Sequence, residues 1–218
     1  MNLDYSVVIN KIPNLLNGCL VTLEISLASL LIGMLIGIVL ALFRLSSIKL
    51  FRAFSMAYIW VVRGTPLLVQ LFILYFGLPQ LGIEMSSMTA GILGIGLNTA
   101  AYISEIIRSG IIAIDTGQME AAESLGMSYP KAMIRIIAPQ VIRIIVPSLL
   151  NQFIITLKNS SIASLVTITE LMRAGNQIIY STFRSFEVYT VVALLYLIMC
   201  SALMVLSKYV EKKLETEK

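Results

Sequence analysis

Five apolar stretches run through this 218-residue sequence, and stretches of this length restrict the chain to folding in a membrane. The first, residues 18–43, contains one charged residue, Glu24, and at 1.5 Å per residue it is long enough to cross a hydrocarbon core of about 30 Å. Hydrophobic residues make up 58% of the sequence and charged residues 13%, which excludes an ordinary water-soluble domain. We therefore expect an all-α integral membrane protein with one transmembrane domain over residues 1–218. The expected spans are about 18–43, 54–81, 88–107, 132–157 and 188–206.

Two of these stretches are interrupted by residues that do not suit a regular lipid-facing helix, the second of them by a break at membrane depth. Arg63-Gly64-Thr65-Pro66 interrupts the second stretch, because proline lacks a backbone donor and biases the preceding residue away from helical geometry. Arginines, prolines and amides recur through the fourth stretch, and such side chains are costly in lipid. We expect the fourth helix to lie in the bundle interior. The glycines at positions 91, 94 and 96 should let another helix approach the third span closely.

The distribution of basic residues predicts the orientation of the chain. Five spans place the two termini on opposite sides of the membrane. The loop from Arg44 to Arg52, the polar loop after Arg108 and the lysines of the C-terminal tail fall on one side. The Lys158–Phe186 stretch, read as a partly exposed amphipathic helix and loop, falls on the other despite its three basic residues. The balance predicts an outside N-terminus and a cytoplasmic C-terminus.

Little in the sequence suits catalysis or a metal centre. There is no histidine, and Cys19 and Cys200 lie far apart inside apolar stretches, which favours buried free thiols over a disulfide. The net charge of +4 does not indicate nucleic acid, because the basic residues fall between apolar stretches instead of forming a face with aromatics. The glycines of residues 91–96 lack the lysine and hydroxyl of a phosphate-binding loop. We expect a non-catalytic chain without a metal or a cofactor of its own.

The most informative segment is a polar helix predicted at about residues 118–126, between the third and fourth spans. Small residues lie on one side, and Gly126 ends the helix where a left-handed conformation favours glycine. A polar helix of this kind cannot lie in lipid. It could dock in a groove of another protein.

This segment resembles the EAA loop of binding-protein-dependent ABC importer permeases. The resemblance rests on Glu120-Ala121-Ala122, then Gly126 after three residues, and Ile136 and Pro139 further on. Ala138 departs from the leucine that the family usually has, which should affect packing more than docking. In that family the loop is a coupling helix that sits in a cleft of a cytosolic ATPase. The resemblance thus implies ATPase-coupling roles for Glu120, Ala121, Ala122 and Gly126.

The resemblance extends over nearly the whole chain to the polar amino acid branch, which includes histidine, glutamine, arginine and cystine permeases. The matching segments are residues 63–70, Asn98, Ala101-Tyr102, 105–108 and Lys158-Asn159-Ser160-Ser161. It implies a type I ABC importer permease in a bacterial cell membrane, with about five transmembrane helices and a cytosolic coupling helix. The implied partners are two cytosolic ATP-binding subunits, which bind ATP and Mg, an extracytoplasmic substrate-binding protein and a second permease subunit.

Helix breaks and mid-span polar residues are the candidate substrate contacts, because breaks expose helix termini that can hold the charged ends of an amino acid. Arg63 is either a substrate contact or part of a buried ion pair. Glu24 either lines the path or extends to the outer headgroups, and Asn98 and Thr99 either bind ligand or join helices. Glu105 and Arg108 are expected to pair at a helix end. The candidate substrate-binding residues are Glu24, Arg63, Thr65, Gln70, Asn98, Thr99, Lys158, Asn159, Ser160 and Ser161.

These patterns predict a permease subunit that imports polar amino acids. The alternative is an ion-coupled secondary transporter or a channel, which has no use for a cytosolic docking helix; a membrane enzyme would need a catalytic constellation that is missing. Many related permeases for basic amino acids carry aspartate where this chain has Asn159, which favours a neutral polar substrate. Glu24 could supply the missing anion, so arginine and lysine stay open.

Overall fold

The computed structural model describes residues 3–216 as a bundle of helices, and within that range no residue lies in a β-strand. The helix Tyr129–Val166 contains a π-helical turn at Met133–Ile137 and ends in a 3-10 turn at Ser160–Val166. Nine helices fall within the described range: α1 (Ser6–Ile9), α2 (Ile12–Leu45), α3 (Lys49–Gly64), α4 (Leu67–Leu81), α5 (Ser87–Ile112), α6 (Thr116–Ser124), α7 (Tyr129–Val166), α8 (Leu171–Thr182) and α9 (Ser185–Thr216).

Among the described helices, α2, α5, α7 and α9 are each long and apolar enough to cross a membrane. A fifth crossing results if α3 and α4 are taken as one broken span, since they meet at an angle of 104°. The predicted break at residues 63–66 is therefore confirmed. Both cysteines, Cys19 and Cys200, are free, as expected.

The helices α2, α5, α7 and α9 extend beyond the predicted spans at both ends. The stretches 18–43, 88–107, 132–157 and 188–206 become the longer helices α2, α5, α7 and α9. The apolar segment covers only the part of the helix that contacts lipid. The helix itself continues until a capping residue ends its backbone hydrogen bonding. Ser86 is such a cap, and its hydroxyl accepts the amide of Thr89 at 3.1 Å.

The helices α2 and α5 form the centre of the bundle through small residues. A Cβ added to Gly33 would lie 3.1 Å from the carbonyl oxygen of Gly96, and one added to Gly37 would lie 3.1 Å from that of Ala100. One turn earlier, the hydroxyl of Ser29 donates to a backbone carbonyl of α5 at 3.1 Å. The close approach predicted for the third span is present at Gly96, and the residue numbers rise together, so α2 and α5 run parallel.

The remaining pairs alternate in direction. Along α5 and α7 the contacts run from Gly91 against Ala163 to Gly110 against Ile145, so these helices are antiparallel. The start of α7 shares a cleft with the end of α9, which makes this pair antiparallel too. Because α2 and α5 are parallel, α3 and α4 together must complete one crossing between them. These directions agree with five crossings.

The helix α3 runs across the bundle rather than along it. In the middle of α3, Ser55 donates to the carbonyl of Leu40 at 2.8 Å, a position level with about residue 103 of α5. Near its end, Arg63 lies over the ring of Tyr102. Ser55 and Arg63 are thus at nearly the same level of α5, and with the bend of 104° between the two helices α4 supplies most of the crossing.

The helix α8 lies at the end of the bundle where α2 begins and is the amphipathic helix predicted between residues 158 and 186. Its first residue, Leu171, packs against Gly18 of α2, and its amide donates to the hydroxyl of Thr22 at 3.2 Å. A buried apolar cluster joins it to α1, α2 and α9: Val8, Leu15, Leu171, Ala174, Ile178, Val188 and Val192.

Candidate functional site

The polar helix α6 lies where the sequence predicts it, shifted by two residues toward the N-terminus. The carboxylate of Asp115 caps its start by accepting the amide of Gly117 at 2.7 Å. At its end the amide of Gly126 donates to the carbonyl of Glu123 at 2.9 Å, and that of Met127 to Ala122 at 3.1 Å. This is a Schellman motif, and the φ of Gly126 is +75°, so the prediction for this glycine is confirmed.

One face of α6 is fixed to the bundle and the other is free. Ala122 is buried, and Met119 packs on the apolar cluster formed by the end of α5 and the start of α7. The amide of Gln140 on α7 donates to the side-chain oxygen of Gln118 at 3.2 Å. Glu120 and Leu125 are exposed, the latter by 83%. The helix is therefore a supported polar surface that faces away from the bundle.

Three predicted substrate contacts, Thr65, Gln70 and Asn98, lie together at the break between α3 and α4. The amide nitrogen of Gln70 is 2.8 Å from the hydroxyl of Thr65 and 2.8 Å from the carbonyl of Val62. Its oxygen accepts the amide of Asn98 on α5 at 3.1 Å. Gln70 thus bridges the broken helix to the bundle. Within the described chain the Asn98 side-chain oxygen accepts no hydrogen bond, so it is free to accept one.

Thr99 is the next residue of α5 and joins this helix to α7. Its hydroxyl is 3.3 Å from that of Thr156, and both side chains are buried. Thr156 donates in turn to the carbonyl of Gln152 at 2.9 Å. Of the two roles predicted for Thr99, the geometry favours the interhelical one.

Lys158, Asn159, Ser160 and Ser161 lie at the transition from α helix to 3-10 turn in α7. The hydroxyls of Ser160 and Ser161 donate to backbone carbonyls three residues back, at 2.7 Å each. They therefore serve the turn itself. Asn159 is half-buried. Lys158 and Ser161 line a cleft of about 310 Å³ together with Met172, Tyr189 and Tyr196.

The charged candidates make contacts of their own. Glu24 is exposed on α2. The guanidinium of Arg63 lies 5.3 Å from the ring centroid of Tyr102 and interacts electrostatically with Glu105. The predicted pair of Glu105 and Arg108 is confirmed, with Arg108 Nε donating at 3.0 Å. The ten predicted substrate contacts thus occupy several places, of which the break at Gln70 brings three together.

Sequence analysis missed the buried carboxylate of Glu170, which caps α8. It accepts the amides of Met172 at 2.9 Å and Arg173 at 2.8 Å, and the hydroxyl of Tyr196 on α9 at 2.7 Å. Burial raises the pKa of Glu170, although these hydrogen bonds act to lower it. The available signal was an acidic residue immediately before an amphipathic run, which is typical of a helix N-cap.

A five-crossing helical bundle that holds a capped polar helix between its third and fourth crossings defines a membrane permease of the ABC importer class. The chain belongs to the family of binding-protein-dependent transport system inner membrane components, whose model matches residues 33–216. It is 41% identical to the arginine transport system permease protein ArtQ of Bacillus subtilis (strain 168), over 99% of each chain. It is 37% identical to the probable glutamine ABC transporter permease protein GlnM of the same organism, over 98% of this chain and 99% of that one.

Solved structures agree with this assignment. The chain superposes with a TM-score of 0.93 and 40% identity on the crystal structure of an amino acid ABC transporter with histidines, covering 98% of this chain and 100% of that one. An inward-facing structure of the MetNI methionine ABC transporter matches with a TM-score of 0.73 at 19% identity, over 93% and 95% of the two chains. The second likeness concerns the fold alone. The predicted type I importer permease fold is confirmed.

Proposed function

We propose that this chain is the permease subunit of an ATP-driven importer that carries polar amino acids into a bacterial cell. The observation that carries the proposal is α6, a polar helix capped at both ends, packed on α5 and α7 through one face and exposed on the other. A secondary transporter or a channel has no use for such a supported, outward-facing polar helix. The names of the relatives, permeases for arginine and glutamine, support an amino acid as the substrate.

The proposal includes the partners that such a subunit requires. Two cytosolic ATP-binding subunits, which bind ATP and Mg, dock on α6, with Glu120, Ala121, Ala122 and Gly126 at or beside the contact. An extracytoplasmic binding protein delivers the substrate, and a second permease subunit completes the path. With α6 facing the cytosolic ATP-binding subunits, the N-terminus is outside and the C-terminus is cytoplasmic.

The proposed substrate contacts centre on the break at Thr65 and Gln70. The free oxygen of Asn98 suits a substrate ammonium group, and the backbone groups at the break suit a carboxylate. Asn159 and Glu24 are proposed to decide the side-chain class: without an acid at Asn159 a neutral polar amino acid is favoured, and Glu24 is the anion available for a basic one. Relatives named for arginine and for glutamine fit these two cases.

The test is uptake and ATP hydrolysis by the complex with its ATPase and binding protein in proteoliposomes. Glutamine, cystine, arginine and histidine should be compared in wild type, Asn98→Ala, Asn159→Asp and Glu24→Gln. We expect ATP-dependent uptake of one of these amino acids by wild type. Asn98→Ala should lose this uptake, and Asn159→Asp should shift the uptake preference toward basic amino acids. Uptake by the permease alone, driven by an ion gradient, would overturn the proposed class. If arginine is the strongest substrate and Glu24→Gln abolishes its uptake, the preference for neutral substrates is wrong.

A further inference from the structure

An open cleft between the end of α2 and the face of α3 lies beside the cluster of Thr65, Gln70 and Asn98 and includes none of these three residues. It has a volume of about 740 Å³ and is lined by Arg44, Met56, Trp60, Arg63 and Gly64, among others. Trp60 is 78% exposed. A cleft that combines two guanidinium groups with an exposed indole offers both charge and apolar surface to a ligand.

The cleft is strongly cationic. Residues 25–83 contain four basic residues and no acid, and two of the four, Arg44 and Arg63, line the cleft. The carboxylate of Glu105 interacts electrostatically with both arginines, but its hydrogen bond comes from Arg108. Within residues 3–216 neither Arg44 nor Arg63 has a hydrogen-bond acceptor. The stacking of Arg63 on Tyr102 holds this guanidinium in place without using its N–H groups on an anion.

The helix α3 has the character of one that lies in a membrane interface. It runs across the bundle, and its packed side is narrow, with only Ser55 and Ile59 buried. Leu50 and Phe54 are exposed together with Trp60, while Lys49 and Arg52 add positive charge at its start. A basic amphipathic helix with an exposed aromatic is typical of a surface that contacts anionic lipids.

We propose that this cleft binds the headgroup phosphate of an anionic phospholipid, held between Arg44 and Arg63, with an acyl chain along Met56 and Trp60. The N–H groups of a guanidinium match the spacing of phosphate oxygens. The positive charge of two guanidinium groups is more than is needed for a zwitterionic headgroup, which already carries a positive charge of its own. The charge balance of the cleft favours this occupant over a second copy of the chain, whose own residues 25–83 would bring further positive charge. The cleft shares no lining residue with the cluster of Thr65, Gln70 and Asn98.

The test uses the fluorescence of Trp60, the one tryptophan in the sequence. The full chain is placed in nanodiscs of phosphatidylcholine with a small, matched fraction of acyl-brominated phosphatidylglycerol or acyl-brominated phosphatidylcholine. Bromine quenches indole on contact, so we expect stronger quenching by the brominated phosphatidylglycerol, relieved by unbrominated phosphatidylglycerol but not by unbrominated phosphatidylcholine. Each arginine should contribute a factor of about five to this preference. Arg44→Gln/Arg63→Gln should abolish it, whereas Arg44→Lys/Arg63→Lys should retain part of it.

The control variant is Lys208→Gln, which removes an exposed positive charge from α9 outside the cleft and should leave the preference unchanged. Equal quenching of wild type by the two brominated lipids would overturn the proposal, and that comparison needs no variant to fold. Trp60 shielded from both lipids would indicate that a second copy covers the cleft, which also overturns it. A fluorescence change on adding a free amino acid, without any lipid preference, would assign Arg63 to the substrate instead.

Discussion

At the scale of single residues, Glu170 connects three helices at one end of the bundle. Its two carboxylate oxygens accept the first-turn amides of Met172 and Arg173 and the hydroxyl of Tyr196 from α9. The neighbouring amide of Leu171 is bound by Thr22 of α2. A buried carboxylate that satisfies several donors at once is difficult to replace, because each donor left without a partner costs free energy.

We predict that Glu170→Ala destabilises the protein by about 2 kcal/mol or more, because it removes a helix cap and leaves the Tyr196 hydroxyl unpaired. The apparent Tm in detergent, followed by fluorescence-detected gel filtration, should fall by roughly 4–8 °C. Glu170→Gln keeps one acceptor and should lie between this variant and wild type. Tyr196→Phe removes one donor cleanly and serves as the matched comparison. An unchanged Tm for Glu170→Ala would show that the cap does not contribute.

Sequence reasoning at this scale identified residue types better than contacts. It selected Thr65, Gln70 and Asn98 from a helix break and a mid-span amide, and these three do meet. It placed Arg63 in the same group, because Arg63 is close to Thr65 and Gln70 in sequence and Asn98 was expected at a similar depth in the membrane. The direction of a side chain around a broken helix depends on the bend, which the sequence does not specify, so Arg63 points to Tyr102 instead.

At the scale of elements, α6 is defined by its two ends more than by its sequence pattern. Gly126 has φ +75°, and a Cβ added there would meet no heavy atom within 4 Å. The need for glycine is therefore conformational and not steric. This separation allows the backbone requirement to be tested without creating a clash.

We predict that Gly126→Val reduces transport and stimulated ATP hydrolysis together, since a β-branched residue is strained in the left-handed region. Gly126→Asn is the matched control, because asparagine tolerates that region and should keep most of the activity. Both variants should insert into the membrane as wild type does, as judged by expression and gel filtration. Normal transport by Gly126→Val would remove the role proposed for this turn.

The contact of α2 with α5 is the second element-scale feature, and it depends on Gly33 and Gly37. A Cβ on Gly37 would lie 2.8 Å from Ile103 Cγ2 as well as 3.1 Å from the Ala100 carbonyl oxygen. Leucines on the other side of α2 are exposed and suit lipid. The G-x-x-x-G spacing of these two glycines was readable from the sequence, but their partner helix was not.

We predict that Gly37→Val separates α2 from α5 and destabilises the bundle by about 1–3 kcal/mol, as overpacking does. Gly64→Ala is the control, because a Cβ at that position meets nothing within 4 Å and should leave stability unchanged or slightly raised. Thermal stability of both variants in detergent checks the difference. Equal Tm values would mean that the two helices can move apart freely.

At the scale of the whole molecule, the order of helix directions limits the topology. The parallel pair α2 and α5 and the antiparallel pairs that follow agree with five crossings and termini on opposite sides. The apolar stretches and the basic loops predicted five crossings, because each segment that crosses lipid must be apolar and is therefore visible in the sequence. They did not predict how α3 and α4 divide one crossing, since a helix that runs across the bundle has the same composition as one that spans.

We predict that cysteines at Ser46 and Tyr180 lie on opposite sides of the membrane. On a background without Cys19 and Cys200, a membrane-impermeant thiol reagent should label Tyr180→Cys in intact cells and Ser46→Cys only after lysis. Tyr180 is 76% exposed, which makes its replacement accessible. A second inside position, Glu217, lies outside the described residues and serves as an independent check. Labelling of Ser46→Cys or Glu217→Cys in intact cells would reverse the proposed orientation.

The last prediction concerns assembly: two copies of a permease, identical or related, with two ATP-binding subunits. Five crossings leave too little surface to enclose a polar path, and α7 exposes Arg143, Ser148, Asn151 and Lys158 on the single chain. Such a helix is costly in lipid and stable against a second subunit or water.

We therefore expect mass photometry of the purified complex to give the mass of two permeases and two ATPases. As a control, Leu35→Ala on the lipid-facing side of α2 should not change that mass, whereas Asn151→Trp on α7 should reduce it. A monodisperse, transport-competent complex with a single permease copy would contradict this assembly.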